Sequence, residues 1–225
     1  MIFSNLFNLF LGAITVTEFV QIIVFSLLAV MIAMCVHEFC HSITAYLLGD
    51  KTSYYQGRMT LNPFAHMDVR GIIFLLFFGI GYAKPVQVNS SRFKKPRLGM
   101  ILTAAAGPLS NFLTAFILTF FYYRCFLRMI ANPESVFYDN LLFLLQMIIL
   151  YNILLGLFNL IPIPPLDGSK IIGELLPFEA RRKFYSIERY SLYIWIGLIV
   201  LLNRTDFLSM LAMRVLKWFL TFWCA

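Results

Sequence analysis

Charge is scarce in this sequence. Only 13% of its 225 residues are Asp, Glu, Lys or Arg, and the acidic ones number 11. A soluble domain carries roughly a quarter charged residues, so an ordinary water-exposed surface is excluded for most of the chain. Histidine is rarer still, with three in all. Cysteine occurs at Cys35, Cys40, Cys125 and Cys224, with no CxxC pair and no disulfide framework. These thiols read as packing groups in apolar stretches. Pro, Gly and Ser never gather into a flexible spacer, and no internal repeat or low-complexity tract is present. A single domain over 1–225 is therefore expected. The apolar N-terminus lacks a basic n-region and a small-residue cleavage site, which argues against a removable signal peptide.

What fills the chain instead is apolar. Hydrophobic residues make up 60% and the mean hydropathy is +0.81. That excess is too large for one globular core and predicts an all-α polytopic membrane protein. A spanning helix needs about 20 apolar residues. Stretches that meet or approach this lie at about 18–48, 98–123, 140–161, 191–202 (short, extending back toward 187) and 207–223. Residues 2–14 are apolar but short for a separate span, and either lie in the interface or extend the first helix, so about five to six transmembrane helices are expected. The run 72–82 has eleven residues, a length that suits a re-entrant element. Its flanks, 54–61 and 84–89, alternate in polarity between Gly, Asn and Pro residues, which predicts a small membrane-associated β-sheet.

The formal net charge is +7. In a soluble protein such a balance would suggest nucleic acid as a partner. Here the basic residues sit in the loops between apolar runs, as the positive-inside rule requires, and no nucleic-acid partner is expected. Lys51, Arg58, Arg70, Lys84, Arg92, Lys94, Lys95 and Arg97 lie between the first two strong spans. Lys170, Arg181, Arg182, Lys183 and Arg189 follow the third, whereas the opposite loops hold Arg124, Arg128 and Arg204. Both basic regions are predicted to be cytoplasmic, in a multi-pass protein of the cell membrane. This requires that 72–82 does not cross.

One segment carries the chemistry. His37-Glu38-Phe39-Cys40-His41 places two histidines at i and i+4, on one face of a helix, where both can grip one zinc ion. Glu38 falls beside them, within reach of an activated water as general base. Ionisable residues inside a membrane helix are costly and mark function. Cys40 is about 100° round the helix from His41 and is read as packing. A hydrolytic zinc site takes three protein ligands and leaves a position open. The third donor is either His66 or an aspartate, and Asp167 is the favoured one. It ends the stretch from Asn159 to Gly168, in which Pro162, Pro164 and Pro165 break the helix and Gly168 allows a close turn. By charge topology this stretch faces the same side as His37. His66 is expected near the site without steady ligation, or as a structural hydrogen bond in its loop. Asn111 is expected to hydrogen-bond across helices, with substrate contact as the lesser reading.

The order and content of these segments resemble the site-2 protease family of intramembrane zinc metallopeptidases, in a minimal form without appended PDZ-like or CBS-like domains. The resemblance rests on His37–His41, Leu61–Asp68, Gly81–Asn89, Ala106–Asn111 and Asn159–Gly168, and covers a catalytic core of about 18–176. The helices at about 187–223 match only in kind. The resemblance implies one zinc ion on His37, His41 and Asp167, Glu38 as catalytic base and acid, and Asn159 holding the substrate carbonyl or oxyanion. It implies hydrolysis of a peptide bond within or near a transmembrane segment of a membrane-protein substrate, in the lipid bilayer, at a site near the cytoplasmic side. The competing reading is a membrane metal-binding or transport protein built on the same His/Asp cluster. The sparse polar residues of the last two spans speak against it.

Overall fold

The computed structural model describes residues 5, 8–66, 68, 71 and 84–224. Helix α1 runs over Val16–Leu47. It starts on a capping box: Thr15 Oγ1 accepts the Glu18 backbone N–H at 3.2 Å, and Glu18 returns a carboxylate to the Thr15 N–H at 2.7 Å. Glu18 is thus spent on the helix end. Val20, Val24, Leu28 and Ile32 form an exposed apolar row at intervals of four, while Ser26, His37, His41 and Ser42 are buried on the inner face. The helix is amphipathic in the membrane sense, with its polar groups inward and its aliphatic ones toward lipid.

Beyond Gly49, which adopts φ +111°, the chain makes two single-turn helices, α2 (Thr52–Tyr55) and α3 (Pro63–His66). No strand occurs among the described residues, so the sheet expected over 54–61 and 84–89 is not formed there. Two local features account for this. Asp50 accepts the Thr52 N–H at 3.0 Å and so starts a helical turn, and Gly57 then turns the chain at φ +68°. Segment 84–88 is free of helix, but its polar groups go elsewhere than to a neighbouring strand. Lys84 N–H donates to the His66 carbonyl, Val86 N–H to Glu38, and Arg58 to the Pro85 carbonyl. The re-entrant run 72–82 lies outside the described residues.

Helix α4 spans Pro96–Ala131, with Pro96 in its first turn and Pro108 within it. A short link over 132–135 returns the chain through α5, Val136–Asn159. Then come α6 (Asp167–Leu175), α7 (Phe178–Ser186), α8 (Ser191–Thr205) and α9 (Phe207–Cys224). Four helices, α1, α4, α5 and α9, are long and apolar enough to cross a membrane by length and composition. Helix α8 has 15 residues, about 22 Å of rise, against a hydrocarbon core of about 30 Å. The count of five to six therefore stands at four such helices among the described residues.

Helices α4, α5 and α9 share a core of Ala115, Ile149, Ile153, Ala212 and Phe219. Trp223 donates its indole N–H to the Phe116 carbonyl at 3.0 Å, which fixes the end of α9 on α4. Helix α1 packs against α4 and α5 on the other side. This three-helix junction is where the polar residues of the spans meet.

Candidate metal centre

His37 and His41 lie one turn apart on the buried face of α1, with their rings edge to face and centroids 4.5 Å apart. Their Nε2 atoms are 3.0 Å apart, and each is 3.0 Å from Asp167 Oδ2. The aspartate opens α6, where a carboxylate is favoured by the helix N-terminus. It is brought there by the 160–166 loop. Gly168 makes the approach possible, because a Cβ at that position would lie 2.6 Å from the Leu160 carbonyl carbon. Lys170 Nζ donates to the other carboxylate oxygen, Oδ1, at 2.9 Å.

The outer nitrogens of the two rings are also engaged. His41 Nδ1 lies 2.7 Å from the Thr103 carbonyl, which can only accept, so His41 carries its proton on Nδ1 and leaves Nε2 bare. His37 Nδ1 lies 2.7 Å from Asn111 Oδ1. Above the rings is Gly107 of α4. A Cβ there would sit 2.7 Å from His37 Cε1 and closer still to the His41 ring.

The donor set fits zinc. Two imidazole nitrogens and one carboxylate oxygen are a hydrolytic ligand set, and tetrahedral zinc with bonds of about 2.0–2.2 Å wants its ligand atoms roughly 3.3 Å apart. The observed spacing is within a few tenths of that. Bare lone pairs and a carboxylate oxygen gathered this closely, away from bulk water, call for a cation. His37, His41 and Asp167 are the one group of this kind among the described residues.

A cavity of about 410 Å³ opens on the centre. His37, Glu38, His41, Asn159 and Asp167 line it, together with Val86 and Val88 of the extended segment. Lys170, Glu174, Tyr185 and Glu188 also contribute to the lining. Glu38 accepts the Val86 N–H at 2.9 Å. Asn159 donates one amide hydrogen to the Leu155 carbonyl at 3.0 Å, with its second hydrogen and Oδ1 still available. His66 is apart from both the cluster and the cavity lining. It is buried in its loop, with Nε2 2.9 Å from the Thr60 carbonyl. Asn111 is fully buried between α1, α4 and α5.

Four participants escaped the reading of the sequence. Asn152 of α5, which accepts from Asn111 at 2.9 Å, carried a usable signal: an amide inside an apolar span. Lys170 stands one turn after Asp167, also a readable spacing. The Thr103 carbonyl and the clearance at Gly107 have no signature in residue type, since both depend on how α4 meets α1.

Comparison with known proteins gives one family. Its model, described as peptidase family M50, matches residues 25–132 and 125–202. A candidate zinc metalloprotease of Bacillus subtilis, YwhC, is 39% identical over 77% of this chain and 78% of its own length. A candidate zinc metalloprotease of Mycolicibacterium smegmatis, Rip2, is 27% identical over 85% of this chain and 71% of its own. One from Methanocaldococcus jannaschii is 30% identical over 68% of this chain and 71% of its own. No solved structure matches.

Proposed function

The chain belongs to peptidase family M50, and on that premise we propose that it is a zinc-dependent intramembrane endopeptidase of the site-2 protease type. Its substrate is another membrane protein, cut within or near a transmembrane segment, and its active site faces the cytoplasmic side. The observation that carries the reading is the meeting of His37, His41 and Asp167 inside the helix bundle, with Glu38 lining the same cavity.

His37, His41 and Asp167 would hold the zinc, which when bound supplies Lewis acidity toward water and the peptide carbonyl. Glu38 takes a proton from the attacking water and passes it to the departing amide nitrogen. Its carboxylate already faces the cavity, held there by the Val86 N–H. Asn159 points its free amide hydrogen at the oxygen of the scissile carbonyl, where a preorganised donor stabilises developing charge.

The test is Glu38→Gln in purified protein with a candidate membrane substrate, alongside Asp167→Ala. The glutamine variant should keep its zinc and lose cleavage by at least about a hundredfold. The alanine variant should lose zinc as well. Persistent cleavage by Glu38→Gln would remove Glu38 as the base, and full zinc content in Asp167→Ala would remove Asp167 as a ligand.

A further inference from the structure

The hydrogen bonds behind His37 form a directed chain whose sense can be worked out from its far end. Asn152 of α5 reaches back along its own helix, and its Nδ2 lies 2.8 Å from the Ile148 carbonyl. A backbone carbonyl only accepts, so the amide is fixed with nitrogen toward Ile148 and oxygen toward α4. That oxygen lies 2.9 Å from Asn111 Nδ2. The same nitrogen of Asn111 lies 2.9 Å from the Ala33 carbonyl on α1, again a pure acceptor. Both hydrogens of the Asn111 amide are therefore committed, and its Oδ1 must face His37 Nδ1, 2.7 Å away. An amide oxygen cannot donate. His37 must then carry its proton on Nδ1, which leaves Nε2 bare toward Asp167 and His41.

The geometry points to Asn152 and Asn111 as positioning residues that set the tautomer and ring direction of His37, through a relay across α5, α4 and α1. Both asparagines are fully buried, so no water competes for their hydrogen bonds. The relay explains why two amides are kept inside apolar spans, where each would be costly if unsatisfied. It also differs in kind from the support of His41, whose Nδ1 rests on a backbone carbonyl that no side-chain substitution removes. The two ligand histidines are thus oriented by independent devices. This inference rests on the zinc site proposed above, but its readouts do not depend on cleavage.

The experiment uses full-length protein in detergent, ¹⁵N-labelled at histidine, as wild type, Asn111→Leu and Asn152→Leu. Leucine matches asparagine in size and suits a membrane interior, and Asn152→Leu still yields an answer where Asn111→Leu fails to fold. Imidazole nitrogen shifts of the zinc-loaded protein report which ring nitrogen carries the proton, and competition with a chelator reports zinc affinity. In the wild type both His37 and His41 should show the Nδ1–H form. Either variant should disturb the His37 tautomer, leave His41 unchanged, and weaken zinc binding by about 10- to 100-fold, with Asn152→Leu the milder. An unchanged His37 signal with unchanged zinc affinity overturns the relay. Equal disturbance of both histidines also overturns it, because that is the mark of a general loss of packing. Protein that shows the expected shifts yet cleaves no substrate would count against the proposed protease and leave the relay standing.

Discussion

An alanine at Gly107 would place its methyl group against both imidazoles, 2.7 Å from His37 Cε1 and nearer to His41. Neither ring has room to retreat, since each is held from behind at 2.7 Å, by Asn111 and by the Thr103 carbonyl. In a helix interior the same substitution would otherwise favour the helix by about 1 kcal/mol. The clash outweighs that gain, so Gly107→Ala should keep its helix content but lose about 1–3 kcal/mol of stability, with zinc affinity down on the order of tenfold or more. Circular dichroism and chelator competition check the two halves separately, and unimpaired zinc binding would show that the rings have more freedom than their contacts imply. Spacing alone made His37, Glu38 and His41 legible, because 3.6 residues per turn fixes which side chains share a face. Gly107 was visible in the sequence only as part of a family-like segment. Its clearance depends on how closely two helices approach, and no local pattern encodes that. For His66 the sequence left two readings, a place near the site without ligation and a structural hydrogen bond in its loop, and its ring lies 2.9 Å from the Thr60 carbonyl.

At the scale of the element, the connection between α1 and α4 is governed by Asp50. Its side chain is fully buried and accepts from Thr52 N–H at 3.0 Å and Asn89 N–H at 2.6 Å, with Arg92 3.9 Å away. Burial raises its pKa, but the hydrogen bonds from Thr52 and Asn89 and the Arg92 charge prevail, so the folded value is lowered. A lowered carboxyl pKa contributes stability that is present above the unfolded value, about 3.9, and is lost as pH falls through the folded one. Asp50→Asn keeps the shape and removes the charge. It should cost about 1.5–3 kcal/mol at neutral pH, the worth of hydrogen bonds to a charged acceptor. The difference from wild type should shrink in acid, below about pH 4. Proteolysis at 84–95, followed against pH in detergent, would read this locally, and a pH-independent difference would tell against it. The same residue explains why alternation over 54–61 did not produce a strand. Period-two patterning states which faces are polar, but the buried carboxylate decides that Thr52 begins a helical turn. The long spans were legible as apolar runs, with most bounds met within about four residues, but α4 continues eight residues past the expected 123, since a helix can extend beyond the apolar run that marks it.

At the scale of the whole molecule, three depths agree. His41 precedes the end of α1 by six residues (41 to 47), about 9 Å of rise, and Thr103 follows the start of α4 by seven (96 to 103), about 10 Å. His41 and Thr103 are in contact, so the end of α1 and the start of α4 lie at one level. Asp167 joins them from just beyond the end of α5, which runs antiparallel to α4 across the 132–135 link. The centre therefore lies about 9–10 Å of helix rise from the end of α1 and the start of α4. A short distance from the helix ends gives water a short route to the centre through the cavity. The shared level also constrains the connection between α1 and α4: a single crossing by 72–82 would leave residues 55 and 94 on opposite faces. Cysteines introduced at Tyr55, Lys94 and Glu134 in a variant lacking Cys35, Cys40, Cys125 and Cys224 make this measurable with a membrane-impermeant maleimide. Tyr55→Cys and Lys94→Cys should label together, only when the cytoplasmic face is open, and Glu134→Cys only from outside. Tyr55 and Lys94 labelling from opposite faces would break the geometry that joins α1 to α4. All three sites labelling in the reversed sense would leave the site intact and invert it, so that substrates would be cut toward the outer face, against the pull of the Lys and Arg residues in both basic regions.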